Sequence, residues 1–194
     1  PEPHLNGRRV YQPRGKVLGG SSTINGMIFI RGNPRDFDQW ASRPGLENWD
    51  YAHVLPYFKK LENRQIGGDE YRGDDGPLSL TTPECKSPLF DAFFQATQEA
   101  GYPFTEDVNG RQQEGLGKFD RTTLRGRRHN AARAYLHPVM HRPNLSVRTG
   151  ALVHRIVFEG TRAVGVEVQK GRRTETLYAN EIICCGGAIN SPHL

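Results

Sequence analysis

The sequence predicts a mixed α/β fold, and three observations carry that expectation. Helix-start signals followed by apolar residues at helical spacing recur between residues 33 and 140. Alternating or β-branched runs take over from residue 145 onward. No segment repeats on a period of 20–50 residues, which sets aside solenoids and propellers.

Residues 1–32 are turn-rich and hold the densest glycine cluster. Asn33-Pro34-Arg35-Asp36 opens a first helix, with Pro in its first turn, carboxylates at its positive end, and Phe37, Trp40 and Ala41 as its apolar face. Asp50 is the expected N-cap of a second helix through Val54, Leu55, Phe58 and Leu61, and Pro56 limits where that helix can begin. Gly67 to Pro77 reads as a loop. Its aspartates lack the spaced ligands and closing Glu of a calcium-binding EF-hand, so a turn is expected. Ser87-Pro88 starts a third helix carrying Leu89, Phe93, Phe94, Ala96 and Ala100, ended by Gly101 and Pro103. A Gly- and Asn-rich loop runs from Tyr102 to about Gly117. Asn130 to Met140 reads as a short Ala-rich helix; His137 and His141 are four apart there, but Pro138 between them and the absence of an acidic partner argue against a metal.

Beyond that point strands are expected at Leu145–Arg148, Leu152–Phe158, Ala163–Val168, Thr174–Tyr178 and Glu181–Cys185, with Glu159-Gly160-Thr161-Arg162 closing a hairpin. After Glu181 the final run is apolar and reads as a buried strand, its cysteines behaving as small hydrophobes. This order suggests an antiparallel excursion that rejoins a buried sheet.

Composition narrows the function classes. With 194 residues, 36% hydrophobic and 24% charged, the chain has apolar material for a sizeable core and is not a disordered tail. Its 22 glycines and 13 prolines predict many turns and close backbone approaches. No apolar run approaches the ~18 residues of a membrane helix. Both ends read as cut, so the chain is expected to be an internal piece of a longer protein. The three cysteines form no C-x-x-C or zinc pattern and suggest, if anything, a reducing compartment; the expected location is intracellular. The net charge of +5 concentrates in the second half, around Arg121, Arg125, Arg127, Arg128 and Arg133. A nucleic-acid patch is one reading. Without any accompanying nucleic-acid-binding pattern, a solvated loop, or arginines that meet carboxylates or a cofactor, is the preferred reading.

The segment that carries chemistry is Gly15-Lys16-Val17-Leu18-Gly19-Gly20-Ser21-Ser22-Thr23-Ile24-Asn25-Gly26. Glycines permit positive φ and close ligand approach, successive N–H groups form a concavity suited to phosphate, and Ser and Asn can bond a phosphate or a heterocycle's edge. It is neither a P-loop nor G-x-G-x-x-G, and a cofactor loop is preferred over a structural turn.

Gly15 through Asp38 resembles, position for position, the first signature of the glucose–methanol–choline (GMC) oxidoreductase family, including Gly19-Gly20, the two hydroxyls, Asn25, Phe29, Gly32 and Asp38. Gly187-Ala188-Ile189-Asn190-Ser191-Pro192-His193-Leu194 is similar to the first half of the second signature. Glu2–Asn6, Tyr57–Lys60, Asp107–Gly110 and Phe158–Val166 agree with the text between. The resemblance implies part of a Rossmann-like FAD-binding domain with part of an antiparallel-sheet substrate domain. Within it, residues 1–32 would be a flavin-contacting loop, 33–144 helical and loop insertions, and 145–194 strands rejoining the FAD-domain sheet. The activity implied is oxidation of a primary alcohol, choline being the first candidate and another aliphatic or aromatic alcohol the alternative, by hydride transfer to the flavin N5. Electrons would pass on to a quinone or dye-type carrier, or to dioxygen, with membrane association of the full protein a corollary of the first. Carried over by position, Val17, Asn25, Gly26, Met27 and Ile28 would line the flavin, Ser21 would sit by its phosphate and ribitol part, and Val153 would meet the adenine. Ile24 stands where covalent binders carry His, which implies non-covalent FAD. None of the seven histidines (His4, His53, His129, His137, His141, His154, His193) matches the family's catalytic base, so no catalytic residue is assigned.

Overall fold

The computed structural model describes residues 2–194 and divides between His141 and Arg142 into two compact units. In the first unit, helices begin where local chemistry satisfies their orphan N–H groups. Asn33 Oδ1 accepts from the Arg35 N–H at 3.0 Å and opens α1 (Pro34–Ala41). Asp50 Oδ1 accepts from the His53 N–H at 2.8 Å and opens α2 (Tyr51–Leu61). That hydrogen bond, followed by the His53 side chain, holds the Asp50 carboxyl below its ordinary range. Asp38 on α1 accepts from the Tyr51 N–H at 3.0 Å, so one helix helps cap the next. Ser87 caps α3 (Pro88–Glu99). Phe37 packs edge-on against Trp40 and Phe58, tying α1 to α2.

Two helical expectations are corrected. Pro56 lies inside α2 rather than limiting its start: the Asp50 cap sets the beginning, and the helix tolerates the missing Pro56 N–H. Asn130–Met140 is not one α-helix but a wide π turn at Ala132–Leu136 followed by a 3₁₀ turn at His137–Val139. Pro138 cannot donate an α-helical hydrogen bond, so the path widens and then tightens before it.

The first unit's strands are short. β1 (Ile28–Phe29) pairs antiparallel with β4 (Asp120–Arg121), and β5 (Thr123–Leu124) with β6 (Arg127–Arg128). β2 (Glu62–Arg64) pairs parallel with β3 (Leu78–Leu80). Such short ladders bury little, and charged groups supply what apolar packing does not. Arg31, Glu62, Arg72 and Asp120 are all buried. Arg31 Nε donates to Glu62 Oε1 at 2.8 Å. Arg72 Nε donates to Glu62 Oε2 at 2.9 Å, its Nη1 to both Asp107 oxygens at 2.8 and 2.6 Å, and its Nη2 to Asp120 Oδ2 at 2.7 Å. Arg64 approaches Asp107 and Asp120 at 3.4 Å each. Three guanidiniums thus meet three carboxylates. Burial alone would lower the Arg72 pKa, but the hydrogen bonds and charges of Glu62 and Asp107 outweigh it and raise it. Buried Asn109 completes the assembly by accepting from the Arg31 N–H at 2.7 Å and donating to the Phe29 carbonyl at 3.1 Å. Its carboxamide stands in for a strand neighbour.

The second unit is a three-stranded antiparallel sheet of β7 (Leu152–Glu159), β8 (Arg162–Lys170) and β9 (Arg173–Tyr178), followed by α4 (Gly187–His193). The hairpin at 159–162 forms as expected. Leu145–Arg148 and Glu181–Cys185, expected as strands, are not: among the described residues neither finds a ladder partner. The predicted burial of Cys184 and Cys185 is likewise corrected, since both are exposed and Ile183 is 76% exposed. An apolar run becomes a buried strand only where a neighbouring strand and covering layer receive it.

The apolar core is smaller than composition suggested. Among the described residues the buried hydrophobic side chains are Leu80, Val108, Ala132, Ala134 and Val168.

Arg72→Ala would leave Glu62, Asp107 and Asp120 facing one another without their shared cation. Removing one partner of a buried ion network costs about 3–5 kcal/mol. Urea unfolding of the variant should show that loss, whereas Arg148→Ala, which breaks an exposed pair with Glu175, should stay within about 1 kcal/mol of wild type.

Candidate cofactor-binding site

The glycine-rich segment folds as a tight loop whose back is held by its own chain and by residues 122–133. Gly15 has no room for a side chain: a Cβ there would lie 2.1 Å from the Gly20 carbonyl oxygen. The two strands of the loop therefore touch, and the Gly15 N–H donates to Ser21 Oγ at 3.2 Å. A 3₁₀ turn, Gly20–Thr23, follows. Ser22 Oγ donates to the Gly19 carbonyl at 2.5 Å and accepts from the Ala131 N–H at 2.9 Å. Asn130 Nδ2 donates to Thr23 Oγ1 at 2.9 Å, and Thr23 Oγ1 donates to the Leu18 carbonyl at 3.1 Å.

Met27 holds a left-handed conformation, φ +63°, which is strained for a bulky residue. It is clamped from both sides. Its N–H donates to Asn25 Oδ1 at 3.1 Å, and its carbonyl accepts from the Thr122 N–H at 2.9 Å. Arg128 Nη1 donates to Asn25 Oδ1 at 2.7 Å and to the Ser22 carbonyl at 3.2 Å.

The front of the loop is open. A Cβ on Gly26 would meet nothing within 4 Å. Val17, Ile24 and Ile28, each about half exposed, present apolar surface with no protein against it. The Ser21 hydroxyl hydrogen and the Asn25 amide group find no acceptor among the described residues. A flat, largely apolar ring bearing polar edges fits these features, with Val17, Gly26 and Ile28 against the ring and Ser21 and Asn25 as polar contacts. FAD is such a group. Six of the seven sequence-predicted residues, Val17, Ser21, Asn25, Gly26, Met27 and Ile28, are thus brought together on one loop. Val153 lies in the second unit on β7, half-buried and opposite Val168.

Sequence reasoning missed the residues behind the loop: Thr122, Arg128, Asn130 and, further back, Asn109 and the ion network. Only the arginine cluster hinted at them, through the reading that its arginines meet carboxylates or a cofactor. Arg128 meets the Asn25 amide oxygen and the Ser22 carbonyl. Arg125, Arg127 and Arg133 instead line an open basic cleft of about 520 Å³ with His129 and His137. His129 Nδ1 accepts from the Ser79 N–H at 3.0 Å. Burial first, and the charge of Arg133 second, lower the His129 pKa from its ordinary 6.5.

Comparison with known proteins bears on the same region. The profile of the GMC oxidoreductase family matches residues 3–194. An oxygen-dependent choline dehydrogenase of Staphylococcus xylosus is 55% identical over 196 residues, covering 100% of this chain and 35% of that protein. One of Staphylococcus aureus is 55% identical over 195 residues, covering 100% and 34%. Among solved structures, pyridoxine 4-oxidase from Mesorbium loti superposes with a TM-score of 0.86 at 35% identity, over 92% of this chain and 36% of that one. An FAD-dependent oxidoreductase from Chaetomium thermophilum gives 0.81 at 30% identity, over 91% and 33%. The chain therefore spans about a third of the length of these relatives.

The two glycines differ in what they would reveal. Gly15→Ala should shift the loop and lower thermal stability, because backbone rather than a flexible side chain blocks the new methyl. Gly26→Ala should melt close to wild type and weaken only a ligand lying across the loop. Melting curves with and without added FAD separate the two.

His129 adds a pH dependence. Its folded pKa is depressed, so the unfolded chain binds the proton more readily and stability rises with pH. The contribution is complete above about 6.5 and is lost as the pH falls from there through the folded value. His129→Gln should flatten that part of a stability-versus-pH curve measured by urea unfolding.

Proposed function

The chain belongs to the GMC oxidoreductase family, and from that premise we propose that the protein containing it oxidises a primary alcohol, choline to betaine aldehyde in the first instance, with non-covalently bound FAD. The observation that carries this reading is the loop of residues 15–28, rigid behind and open in front, with half-exposed Val17, Ile24 and Ile28 beside the bare Gly26. Bound FAD would supply the hydride acceptor at its N5, while the alcohol's hydroxyl proton leaves to a base.

This chain's own residues bind and orient. Val17, Gly26 and Ile28 offer an apolar floor that excludes water from one side of the ring. Met27, fixed in its strained conformation, sets the direction of the peptide groups on either side of it. Asn25 offers a hydrogen-bond donor to a polar edge of the ring, and Ser21 one to the phosphate and ribitol part. By its position in the family pattern, Val153 would meet the adenine. Ile24 has no group able to bond a flavin covalently, which supports reversible binding. No proton-transfer role is assigned to a histidine of this chain; His53 meets Asp50 and His154 meets Gln169, each at an exposed position.

The similarity to proteins named as choline dehydrogenases supports choline as substrate. For the electron acceptor we favour a quinone or dye-type carrier, which would place the full protein at a membrane surface inside the cell. Dioxygen is the alternative that the relatives' names raise. Among the described residues no helix is long and apolar enough to cross a membrane.

The full-length protein, purified with its flavin, should lose the oxidised-flavin absorption when choline is added without oxygen. Bleaching by benzyl or long-chain alcohols but not by choline would move the substrate to those classes, and a protein that takes up no FAD would end the proposal. Re-oxidation by a quinone analogue, compared with re-oxidation by air, decides the acceptor. The 194-residue chain alone should neither retain FAD on gel filtration nor oxidise choline.

A further inference from the structure

The orientation of the Asn25 carboxamide is dictated by its partners. Arg128 Nη1 approaches one terminal atom at 2.7 Å, and the Met27 N–H approaches the same atom at 3.1 Å. A guanidinium carries donors and no acceptor, and a backbone N–H is a donor only. The atom they share must therefore be the carbonyl oxygen Oδ1, and both of its lone pairs are engaged. What remains free is Nδ2, with two hydrogens and no acceptor among the described residues. Asn25 is exposed, so its free end is restricted to donating to whatever approaches it from outside the loop.

Arg128 does more than hold the group. A cation 2.7 Å from Oδ1 draws electron density toward the oxygen and leaves the Nδ2 hydrogens more positive, because hydrogen bonds in sequence polarise one another. The same Nη1 donates to the Ser22 carbonyl, so the guanidinium ties Asn25 to the 3₁₀ turn before it. Arg128 itself is held in β6, where Thr123 lies opposite, and its carbonyl accepts from Arg133 Nη1 at 3.2 Å.

We propose that Arg128 is a positioning residue that locks and polarises Asn25, so that the Asn25 Nδ2 group donates to an acceptor atom of the flavin ring and binds the reduced ring more tightly than the oxidised one. The inference rests on the FAD reading above and adds to it what fixes the Asn25 side chain and which redox state of the ring that side chain favours. The ring gains two electrons on reduction, and its nitrogen and carbonyl acceptors become more electron-rich. A fixed, polarised donor is then worth more after reduction than before it. The group that recognises Asn25 must be an acceptor; a ligand presenting only donors there would meet the wrong end of the carboxamide.

The test is the midpoint potential of the flavin in the full-length FAD-loaded protein, read by equilibrium titration against reference dyes, with FAD dissociation constants measured alongside. Arg128→Gln should weaken reduced FAD about tenfold more than oxidised FAD, a fall of about 30 mV for a two-electron couple. Arg128→Lys, which keeps the cation, should recover most of that shift. Asn25→Asp keeps the Arg128 contact but turns the free end from donor to acceptor. It should lower the potential at least as far, and it decides the matter if Arg128→Gln does not fold. Arg127→Gln, which removes the adjacent exposed charge, should leave the potential unchanged. If Arg128→Gln or Asn25→Asp retains FAD with the wild-type potential, the inference is overturned while the flavin reading stands. Wild-type protein without affinity for FAD would overturn both, and that outcome is visible before any variant is made.

Discussion

Glu62 sits at the centre of the first unit, and its two oxygens divide the work of assembly. One accepts from Arg31, three residues after the loop of residues 15–28, and the other from Arg72, in the loop that joins β2 to β3. Arg72 passes the connection on to Asp107 and Asp120. Five separate chain segments meet there, none contributing more than a short strand. Taking charges out of water costs several kcal/mol per ion, so the cluster is tenable only because positive and negative groups balance and nearly every hydrogen finds an acceptor. The exception is Arg64 Nε, buried without a hydrogen-bond partner at 3.4 Å from Asp120. A network of this kind prescribes geometry more strictly than apolar packing would: a methyl group tolerates a slide of its neighbour, whereas a bidentate guanidinium does not.

Much of this was legible in the sequence where the signal is local. Asn33, Asp50 and Ser87 each announced a helix because the capping hydrogen bond spans only two or three residues. The 152–178 strands announced themselves through alternation. The loop at 15–28 was legible through its glycines and its family resemblance. The network was not, because nothing in the spacing of Arg31, Glu62, Arg72, Asp107 and Asp120 is periodic, and charged residues in a single sequence read by default as solvated. Asp107-Val108-Asn109-Gly110 illustrates the gap. It resembled the family text and read as loop, yet Asn109 is wholly buried and pairs with the backbone of Phe29 and Arg31. The failed strand at Glu181–Cys185 is the converse case. Apolar composition states what a segment could bury, not whether a partner is present to bury it.

The network and the loop are mechanically continuous. Phe29 pairs with Asp120, which is one of the three carboxylates, and Arg31 enters the cluster directly. Ile28 and Met27 follow immediately toward the open face. Thr122, two residues beyond Asp120, takes the Met27 carbonyl. The stretch from Asp120 to Arg128 therefore has one end in the buried charges and the other on Asn25. Strain at a residue such as Met27 costs of order 1–3 kcal/mol and persists only where surrounding contacts over-determine it. Here the contacts are enumerable: one on its N–H, two on its carbonyl from Thr122, and the ion network, which begins four positions beyond Met27 at Arg31 and two positions before Thr122 at Asp120.

That continuity explains why the loop can be glycine-rich without being loose. Glycine carries the largest entropic penalty on ordering, and a loop ordered only by its ligand would charge that penalty to binding. In this chain the ordering is done in advance by contacts with residues 128–131: Ser22 with Ala131, Thr23 with Asn130, and the Asn25 amide oxygen with Arg128. What the front retains is then chemically specific rather than merely vacant. Gly26 contributes space, Val17, Ile24 and Ile28 contribute apolar contact, and the polar groups left over are donors, from the Ser21 hydroxyl and the Asn25 amide. A surface with that inventory discriminates between ligands by where their acceptors lie relative to a flat apolar face. It does so with a backbone whose position is settled by charges buried several residues away.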